Sequence, residues 1–336
     1  MDKKKLIDSP IGWGIIGCGA VTELKSGPAY RLTPDFKLTA VMRRDGVKAA
    51  DYAKRHGVPK FFTSAEQLIA DPTVDAVYIA TPPDTHLKYG LMVANAGKPC
   101  CIEKPLAPSY RESLAISDAF KQRGIPLFSS YYRRSLPRFL KVKQWLDEGQ
   151  IGSIRHIRWH LGKPPSAADL SGQYNWRTDP LVAPGGYFDD LASHGLDLFV
   201  YFLGAVEKAY GIATNQQGLY GAMDAITSCW VHKNGITGEG SWNFGTVERV
   251  DKVAIFGSMG SVEFSIFNEE DIVLRTKEGE TKLFIDNPLH VQQYHVANIR
   301  EHLLGNGQHP STGETGAHTS WFMDQILGSG DRSTTM

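Results

Sequence analysis

Three side chains suited to proton transfer fall in two short stretches of this sequence. Lys104 closely follows the apolar run that ends at Ile102 and precedes Pro105, so it should lie at the carboxyl end of a strand. Asp190 and His194 are four residues apart on a predicted helix and therefore share one face. Such a set can move a proton while a hydride leaves an alcohol carbon. We therefore predict Lys104, Asp190 and His194 as the catalytic residues.

A glycine-rich turn near the start of the chain is the predicted cofactor site. The segment Gly17-Cys18-Gly19-Ala20-Val21 follows an apolar run and opens a helix, which is the setting in which a dinucleotide pyrophosphate binds. Thr22 stands where such motifs carry their third glycine. The position of the turn before the first helix of an alternating pattern nevertheless favours cofactor binding over a simple tight turn.

The choice of nucleotide is usually set at the end of the second strand. Here that strand ends in Arg43-Arg44, and guanidinium groups suit the geometry of a 2′-phosphate. Asp45 follows, and its simplest role is to cap the next helix. The sequence therefore favours NADP over NAD, and both remain open.

Further cofactor contacts are expected from two segments at the ends of strands and from one loop. Thr81, Pro82 and His86 follow the strand that ends at Ala80. In a Rossmann sheet such a segment lies beside the nicotinamide ribose. The other expected contacts are Glu103, Lys104, Trp176 and Arg177.

The composition excludes several kinds of partner. Lysine plus arginine equals aspartate plus glutamate, at 36 each, so no net field favours nucleic acid or an anionic membrane. No stretch approaches the roughly 18 apolar residues of a membrane span. The four cysteines give no disulfide framework and no zinc pattern. We expect a cytoplasmic protein that binds a small molecule and has no metal, nucleic-acid or membrane partner.

The elements that must position these residues form two domains. Residues 1–131 alternate short apolar runs with amphipathic stretches, which predicts a doubly wound Rossmann domain with a parallel sheet. Its strands are predicted at about 12–17, 36–43, 74–80, 99–103 and 126–131. Its helices are predicted near 20–31, 46–56, 64–70, 84–96 and 109–124.

The second predicted domain, 132–336, has a different pattern. A helix is expected near 135–148, a strand near 153–161, and at about 187–203 the helix that carries the Asp/His pair. Hairpin-type turns then separate strands that indicate one antiparallel sheet, at 222–232, 236–243, 249–256, 261–266, 271–276 and 281–285. Two last helical segments, near 290–305 and 314–327, could pack on either domain.

Seven segments stand in a fixed order along the chain. They are Gly-Ile-Ile-Gly-Cys-Gly at 14–19, Thr81-Pro82, Glu103-Lys104-Pro105, Gly149-Gln150-Ile151-Gly152, Trp176-Arg177, the stretch from Gly185 to Asp197, and Phe256-Gly257-Ser258-Met259-Gly260-Ser261. With this set almost the whole chain resembles the glucose-fructose oxidoreductase/inositol dehydrogenase/rhizopine-catabolism (Gfo/Idh/MocA) family. The family pattern often carries glycine where this chain has Tyr187 and Ala192, so the substrate pocket should differ from that of relatives.

The resemblance implies a Rossmann domain followed by an α+β substrate-binding domain with an open-faced, mainly antiparallel sheet, through which homodimers or homotetramers form. It implies NAD or NADP as cofactor and a sugar, glycoside or cyclitol whose secondary alcohol is oxidised. His194, oriented by Asp190, would take the hydroxyl proton, and Lys104 would polarise the oxygen. Two alternatives stay open: an NAD-dependent glycosidase or lyase that oxidises its substrate transiently, and a non-catalytic nucleotide sensor on the same fold.

Overall fold

The computed structural model describes residues 7–328, and this part of the chain divides into two compact units. One unit comprises residues 7–136 and 288–317, and the other comprises 137–287 and 318–328. Residues 288–317, whose packing the sequence left open, thus belong to the first unit. The ends of the two predicted domains, residues 1–6 and 329–336, lie outside the described residues.

Strands and helices follow one another as the alternating pattern predicts. The strands are β1 (Ile11–Ile16), β2 (Phe36–Met42), β3 (Lys60–Phe62), β4 (Ala76–Ile79), β5 (Cys100–Ile102), β6 (Leu127–Ser129), β7 (Ile154–Gly162), β8 (Val206–Thr214), β9 (Ala225–His232), β10 (Thr237–Asn243), β11 (Val250–Gly257), β12 (Gly260–Phe264), β13 (Ile272–Thr276) and β14 (Gly279–Leu283). The α-helices are α1 (Ala20–Leu24), α2 (Gly27–Leu32), α3 (Gly46–His56), α4 (Ala65–Ala70), α5 (His86–Asn95), α6 (Tyr110–Gln122), α7 (Pro137–Asp147), α8 (Ala167–Ser171), α9 (Ser193–Leu203), α10 (Gln293–Leu303) and α11 (Gly313–Ile326).

The first unit is built on a parallel sheet with the strand order β3-β2-β1-β4-β5-β6. This is the order of a dinucleotide-binding Rossmann fold, and it confirms the predicted fold class. Ile16, at the end of β1, pairs with Met42 on one side and with Ile79 on the other. The segments that follow β1, β2, β4 and β5 therefore leave the sheet at one edge, because the carboxyl ends of parallel strands meet there.

Both faces of this sheet are buried, which explains why its strands read as continuous apolar runs. Val77 and Cys100 belong to the core on one face, whereas Tyr78 and Cys101 belong to the core on the other. The strand alternation thus sends neighbouring side chains into two separate apolar layers. This double burial fixes the height and register of β4 and β5, and so the position of the loops that follow them.

Two details of the first unit differ from the sequence prediction. The helix predicted over 20–31 is two helices, because Pro28 would clash with the preceding turn of a continuous helix. Gly27 also lies so close to Thr22 that a Cβ atom would stand 2.2 Å from its carbonyl oxygen. The short edge strand β3 was not predicted, since three residues are too few to show alternation.

The second unit contains an eight-stranded sheet with the order β14-β13-β12-β11-β7-β10-β9-β8. Most neighbours are antiparallel, but β10 runs parallel to β7, with Thr237 opposite His156. The mainly antiparallel sheet that the resemblance implies is therefore confirmed, and the parallel pair joins strands that a long connection, not a turn, separates in the chain. Strand β8, which was left unassigned, lies at the edge and carries a bulge near Val206.

Helix α9 packs directly on one face of this sheet. Trp159 on β7 contacts Phe199 of the helix and Trp242 on β10, with ring centroids 5.6 Å and 5.5 Å apart. On the opposite face of the sheet, Tyr210 and Ile212 of β8 are exposed. The sheet is therefore covered on one face by the helix that carries His194.

Candidate active site

The glycine-rich turn after β1 has the backbone geometry that a dinucleotide site requires. Gly17 adopts φ +96°, and a Cβ atom on it would lie 2.7 Å from Thr81 Cγ2. Both the positive φ and the lack of space therefore exclude a side chain at this position. In contrast, a Cβ atom on Gly19 would meet nothing within 4 Å, so space is open in front of α1. Gly17 closes the turn and Gly19 leaves room for a ligand, which fits the predicted cofactor.

Thr22 replaces the third glycine of the motif without opening the turn. Its hydroxyl donates to the Gly19 carbonyl at 2.8 Å, and its own carbonyl accepts from the Tyr52 hydroxyl at 2.9 Å. Thr22 is fully buried. The threonine therefore ties α1 to the turn and to α3. Ala20 and Val21 form the start of α1, beside the open space at Gly19.

The two arginines at the end of β2 have different surroundings. Arg43 is half-buried, and its guanidinium donates to the Cys18 carbonyl at 3.1 Å, so it braces the glycine-rich turn. Arg44 is exposed and makes no side-chain hydrogen bond within the described residues. Asp45 caps α3 by accepting from the Lys48 backbone N–H at 3.1 Å, as predicted.

The segment after β4 is held from the inside by His86. This histidine is fully buried, with Nε2 2.8 Å from the Thr81 carbonyl and Nδ1 3.1 Å from the Pro105 carbonyl. Burial lowers its pKa. Pro82 precedes a short 3₁₀ turn, Pro83–Thr85. The ring nitrogens of His86 thus face the backbone of two loops at the sheet edge, a position that links these loops to each other.

Glu103 is a buried carboxylate on which three donors converge. Its Oε1 accepts from the Tyr78 hydroxyl at 2.5 Å and from Gln292 Nε2 at 2.7 Å. Its Oε2 accepts from the backbone N–H of Lys104 at 3.2 Å. Glu103 therefore anchors the backbone at Lys104 to β4 and to the chain just before α10. Sequence reasoning missed Tyr78 and Gln292, since neither stands in a motif.

His194 lies in the second unit, near the start of α9, and is 6% exposed. Its ring lies 6.0 Å from the ring of Phe267. The next residue, Gly195, allows the helix to sit on the sheet, because a Cβ atom there would come within 2.4 Å of the Trp159 ring. The depth of His194 is thus set by a glycine–tryptophan contact.

Asp190 precedes α9 in a π-helical turn, Phe188–Ala192. Its Oδ2 accepts from Arg177 Nε at 2.9 Å. Arg177 and Trp176 stand on a 3₁₀ turn, and the Arg177 guanidinium lies 4.3 Å from the centre of the Trp176 ring. The structure therefore brings together the predicted residues Asp190, Trp176 and Arg177.

A cavity of 300 Å³ opens beside Asp190 in the second unit. It is lined by Leu161, Lys163, Asn175, Arg177, Tyr187, Asp190, Leu191, Arg249 and Phe267. This volume is at the small end of the range for ligand pockets. The cavity also holds convergent polar groups, as expected for a site that binds a small polar molecule. The sequence indicated Arg177 and Asp190, but not Lys163 or Arg249, because no motif marks them.

The predicted residues thus form two groups. Those of the first unit lie in the segments at the carboxyl edge of the Rossmann sheet: Gly17, Cys18, Gly19, Ala20, Val21, Arg43, Arg44, Thr81, Pro82, His86, Glu103 and Lys104. Those of the second unit are Trp176, Arg177, Asp190 and His194. Among residues 7–328, no group of three or more His, Cys, Asp or Glu side chains could hold a metal ion. None of the helices in that range has the length and apolar character needed to cross a bilayer.

Comparison with known proteins places these features in a family. The profile described as "Oxidoreductase family, NAD-binding Rossmann fold" matches residues 11–131, and the "GFO/IDH/MocA C-terminal domain" matches 139–263. Oxidoreductase P35 from Formosa agariphila is 36% identical over 96% of this chain and 100% of its own length. A 1,5-anhydro-D-fructose reductase from Ensifer adhaerens is 27% identical over 90% of this chain and 91% of its own.

A solved structure agrees with the observed architecture. Levoglucosan dehydrogenase in complex with NADH and levoglucosan matches with a TM-score of 0.84 at 21% identity, over 96% of this chain and 97% of that chain. At this identity the likeness shows the fold. Together with the two matching profiles and the full-length relative, it allows one conclusion. The chain belongs to the Gfo/Idh/MocA family of nicotinamide-dependent oxidoreductases, which act on CH–OH groups.

Proposed function

We propose that this oxidoreductase acts on a secondary alcohol of a sugar, glycoside or cyclitol. The observation that carries the proposal is the 300 Å³ cavity beside Asp190, whose hydrogen-bonding side chains suit a molecule with several hydroxyl groups. Relatives named 1,5-anhydro-D-fructose reductase and levoglucosan dehydrogenase support the same substrate class. The nicotinamide, when bound, supplies the hydride-transfer chemistry.

The proposed roles of the catalytic residues follow from their chemistry. A ring nitrogen of His194 takes the proton of the substrate hydroxyl, and Asp190, one turn earlier in the chain, orients the imidazole. The Lys104 ammonium stabilises the negative charge that develops on the substrate oxygen. Glu103 supports this role indirectly, since its carboxylate accepts from the Lys104 backbone. In the reverse direction His194 returns the proton to the oxygen.

For the cofactor, we propose a preference for NADP. Arg44 follows β2 and is exposed, and its guanidinium makes no side-chain hydrogen bond within the described chain. A guanidinium fork suits a phosphate better than a ribose hydroxyl. Asp45, the nearest carboxylate in the sequence, is already used as the cap of α3.

The test follows nicotinamide absorbance with NAD or NADP and a panel of aldoses, glycosides and inositols, with products identified by mass spectrometry. Lys104→Met and His194→Ala should each lower kcat by about 100-fold or more while cofactor affinity stays near wild type. Lys88→Met, at an exposed position on α5, is the matched control. Near-normal turnover of either variant would overturn the assignment. A cleaved glycoside without net cofactor reduction would instead support the transient-oxidation alternative.

We further propose that the open face of the sheet in the second unit joins two copies of the chain. Tyr210 and Ile212 on this face are 68% and 73% exposed, and they line a cavity of 760 Å³ together with Cys229. Exposed apolar side chains grouped in this way mark interaction surfaces. Tyr210→Glu combined with Ile212→Glu should shift the molar mass measured by light scattering towards the monomer. An unchanged mass would contradict this interface.

A further inference from the structure

The cavity beside Asp190 collects more positive than negative charge. Its lining includes three basic residues, Lys163, Arg177 and Arg249, but Asp190 as its one carboxylate. Arg177 is paired with Asp190. Within the part of the chain that the structure describes, Lys163 and Arg249 have no carboxylate within 4.0 Å. Two cations of the cavity are therefore left without a counter-charge.

The strand register makes these two cations neighbours. Gly162, the last residue of β7, pairs with Val250, the first residue of β11, in an antiparallel ladder. Lys163 and Arg249 are the next residues beyond this pair, one on each strand. The Arg249 charge acts on Lys163, so the two cations repel each other. Arg249 Nε donates to Asn268 Oδ1 at 3.2 Å, a bond that leaves the guanidinium charge uncompensated. A bound anion between the two cations would remove the repulsion.

Lys163 is held in place by contacts that do not neutralise it. Its backbone N–H donates to the Asn243 carbonyl at 2.9 Å, and its Nζ lies 4.2 Å from the centre of the Tyr187 ring. The Tyr187 hydroxyl donates to Asp169 Oδ1 at 2.8 Å and accepts from Asn175 Nδ2 at 3.1 Å. These two hydrogen bonds hold the Tyr187 ring in place, and the ring orients the Lys163 ammonium by a cation–π contact.

Tyr187 is also one of the two positions at which this chain departs from a glycine that the family motif often carries. Its side chain is 6% exposed and fills space that a glycine would leave empty. The tyrosine that replaces the family glycine and the lysine without a counter-charge therefore belong to one structural arrangement, because the ring contacts the ammonium. Burial lowers the pKa of Lys163, as expected for an ammonium that has lost water without gaining a close carboxylate. The charged groups that act on it are Asp169, Arg249, Asp190 and Arg177.

We infer that Lys163 and Arg249 form an anion subsite, and that the substrate is an acidic sugar whose oxyanion binds between them. The inference rests on the proposed function, because it names the substrate class of the same cavity. The lysine offers a compact point charge and the arginine a planar fork, which together suit a carboxylate or a phosphate. A neutral sugar would leave the partly desolvated Lys163 ammonium without a counter-charge, so the site discriminates against it.

The test measures binding by calorimetry at a saturating concentration of reduced cofactor. The probes are uronates, aldonates and hexose phosphates, each compared with its neutral parent hexose. Wild type should bind at least one acidic sugar about tenfold or more tightly than the neutral parent. Lys163→Met and Arg249→Gln should weaken that binding by about 10- to 100-fold and so reduce the preference for the acidic sugar over its neutral parent. Lys163→Arg should retain most of the preference.

The control is Lys282→Met on β14, an exposed lysine that is paired with Glu280 and lines neither of the two cavities. It should bind both sugar types as wild type does. Tighter binding of the uronate or aldonate would assign the oxyanion as a carboxylate, and tighter binding of the hexose phosphate would assign it as a phosphate. Equal binding of acidic and neutral sugars by wild type would overturn the inference. So would an unchanged preference in Lys163→Met.

This design separates the inference from the proposed function, because calorimetry needs no turnover. A preference for acidic sugars that Lys163→Met removes, in a protein that turns over no sugar, would leave the subsite standing and overturn the proposed function. Turnover of neutral sugars without any preference for their acidic forms would support the proposed function and overturn the anion subsite. Where acidic sugars are turned over, Lys163→Met should raise KM and leave kcat nearly unchanged, as expected for a residue that only binds the substrate.

Discussion

Replacing Glu103 with glutamine tests whether this buried carboxylate positions Lys104 or contacts the cofactor directly. Three donors meet the carboxylate: the Tyr78 hydroxyl and Gln292 Nε2 at one oxygen, and the Lys104 backbone N–H at the other. Burial raises the pKa of Tyr78 well above its usual value, so the phenol stays protonated and remains a donor. Glutamine has the same shape but offers one acceptor oxygen and an NH₂ group.

The expected loss of stability and activity in Glu103→Gln follows from counting these donors. The amide oxygen of the glutamine is expected to accept from the two donors Tyr78 and Gln292. Its NH₂ group then points at the Lys104 N–H, which is also a donor. One buried donor is then left unsatisfied, at a cost of about 1–3 kcal/mol in the free energy of unfolding. The backbone at Lys104 should move away from the clash. Because misplacing a catalytic group by about 1 Å can cost about 100-fold, we expect kcat to fall by at least about tenfold.

The assay combines thermal unfolding, kcat, and the dissociation constant of the reduced cofactor from fluorescence titration. Glu103→Gln should lower the unfolding midpoint and kcat, with the dissociation constant close to that of wild type. Glu66→Gln, at an exposed position on α4, should change stability by less than about 0.5 kcal/mol. Wild-type stability and kcat in Glu103→Gln would refute the positioning role. A raised dissociation constant with normal kcat would show that the carboxylate contacts the cofactor instead.

Three other results are expected. Arg44→Ala should lower kcat/KM for NADP by about tenfold and leave the value for NAD within about twofold, because only NADP offers a phosphate to this guanidinium; a parallel loss with both cofactors would contradict the preference. Binding of an acidic sugar should weaken as pH rises through the lowered pKa of Lys163, whereas Lys163→Arg should keep binding to higher pH, as calorimetry across pH 7–10 would reveal. Hydrogen bonding to the Lys60 ammonium lowers the pKa of Asp71 from 3.8 to about 2. After discounting for solvent screening, the ionised carboxylate contributes about 1 kcal/mol to the free energy of unfolding; this contribution is present above about pH 4 and is lost as the pH falls towards 2. The difference in unfolding midpoint between wild type and Asp71→Asn should therefore shrink below pH 4, and a constant difference would exclude this ion pair as its cause.

The sequence was most informative where burial is periodic and motifs are local. The alternation of apolar runs and amphipathic stretches over the first 131 residues predicted the Rossmann sheet, because a strand buried on both faces needs an unbroken apolar run. The glycine-rich turn at Gly17 and the cap at Asp45 were likewise predictable, since each depends on neighbours within a few residues. The family followed from the order of such local segments.

The sequence was least informative where the decisive contact joins distant residues. The parallel pairing of β10 with β7 brings together strands about 80 residues apart, and no turn motif records it. His86 was predicted as a cofactor contact from its place after a strand, but the sequence did not indicate that it is fully buried between two loop backbones. Glu103 was predicted to meet the cofactor, while the structure shows its carboxylate accepting from residues of three separate segments.

For this protein the sequence by itself determined the fold class, the family, and the candidate residues Lys104, Asp190 and His194. These depend on side-chain type, spacing and hydrophobic period, which are properties of short stretches of chain. Only the tertiary structure decided that Lys163 and Arg249, each one residue beyond a paired strand, line the same cavity. Electrostatic interaction falls with distance in space and is indifferent to distance along the chain, so charges 86 positions apart become neighbours only when the sheet has formed.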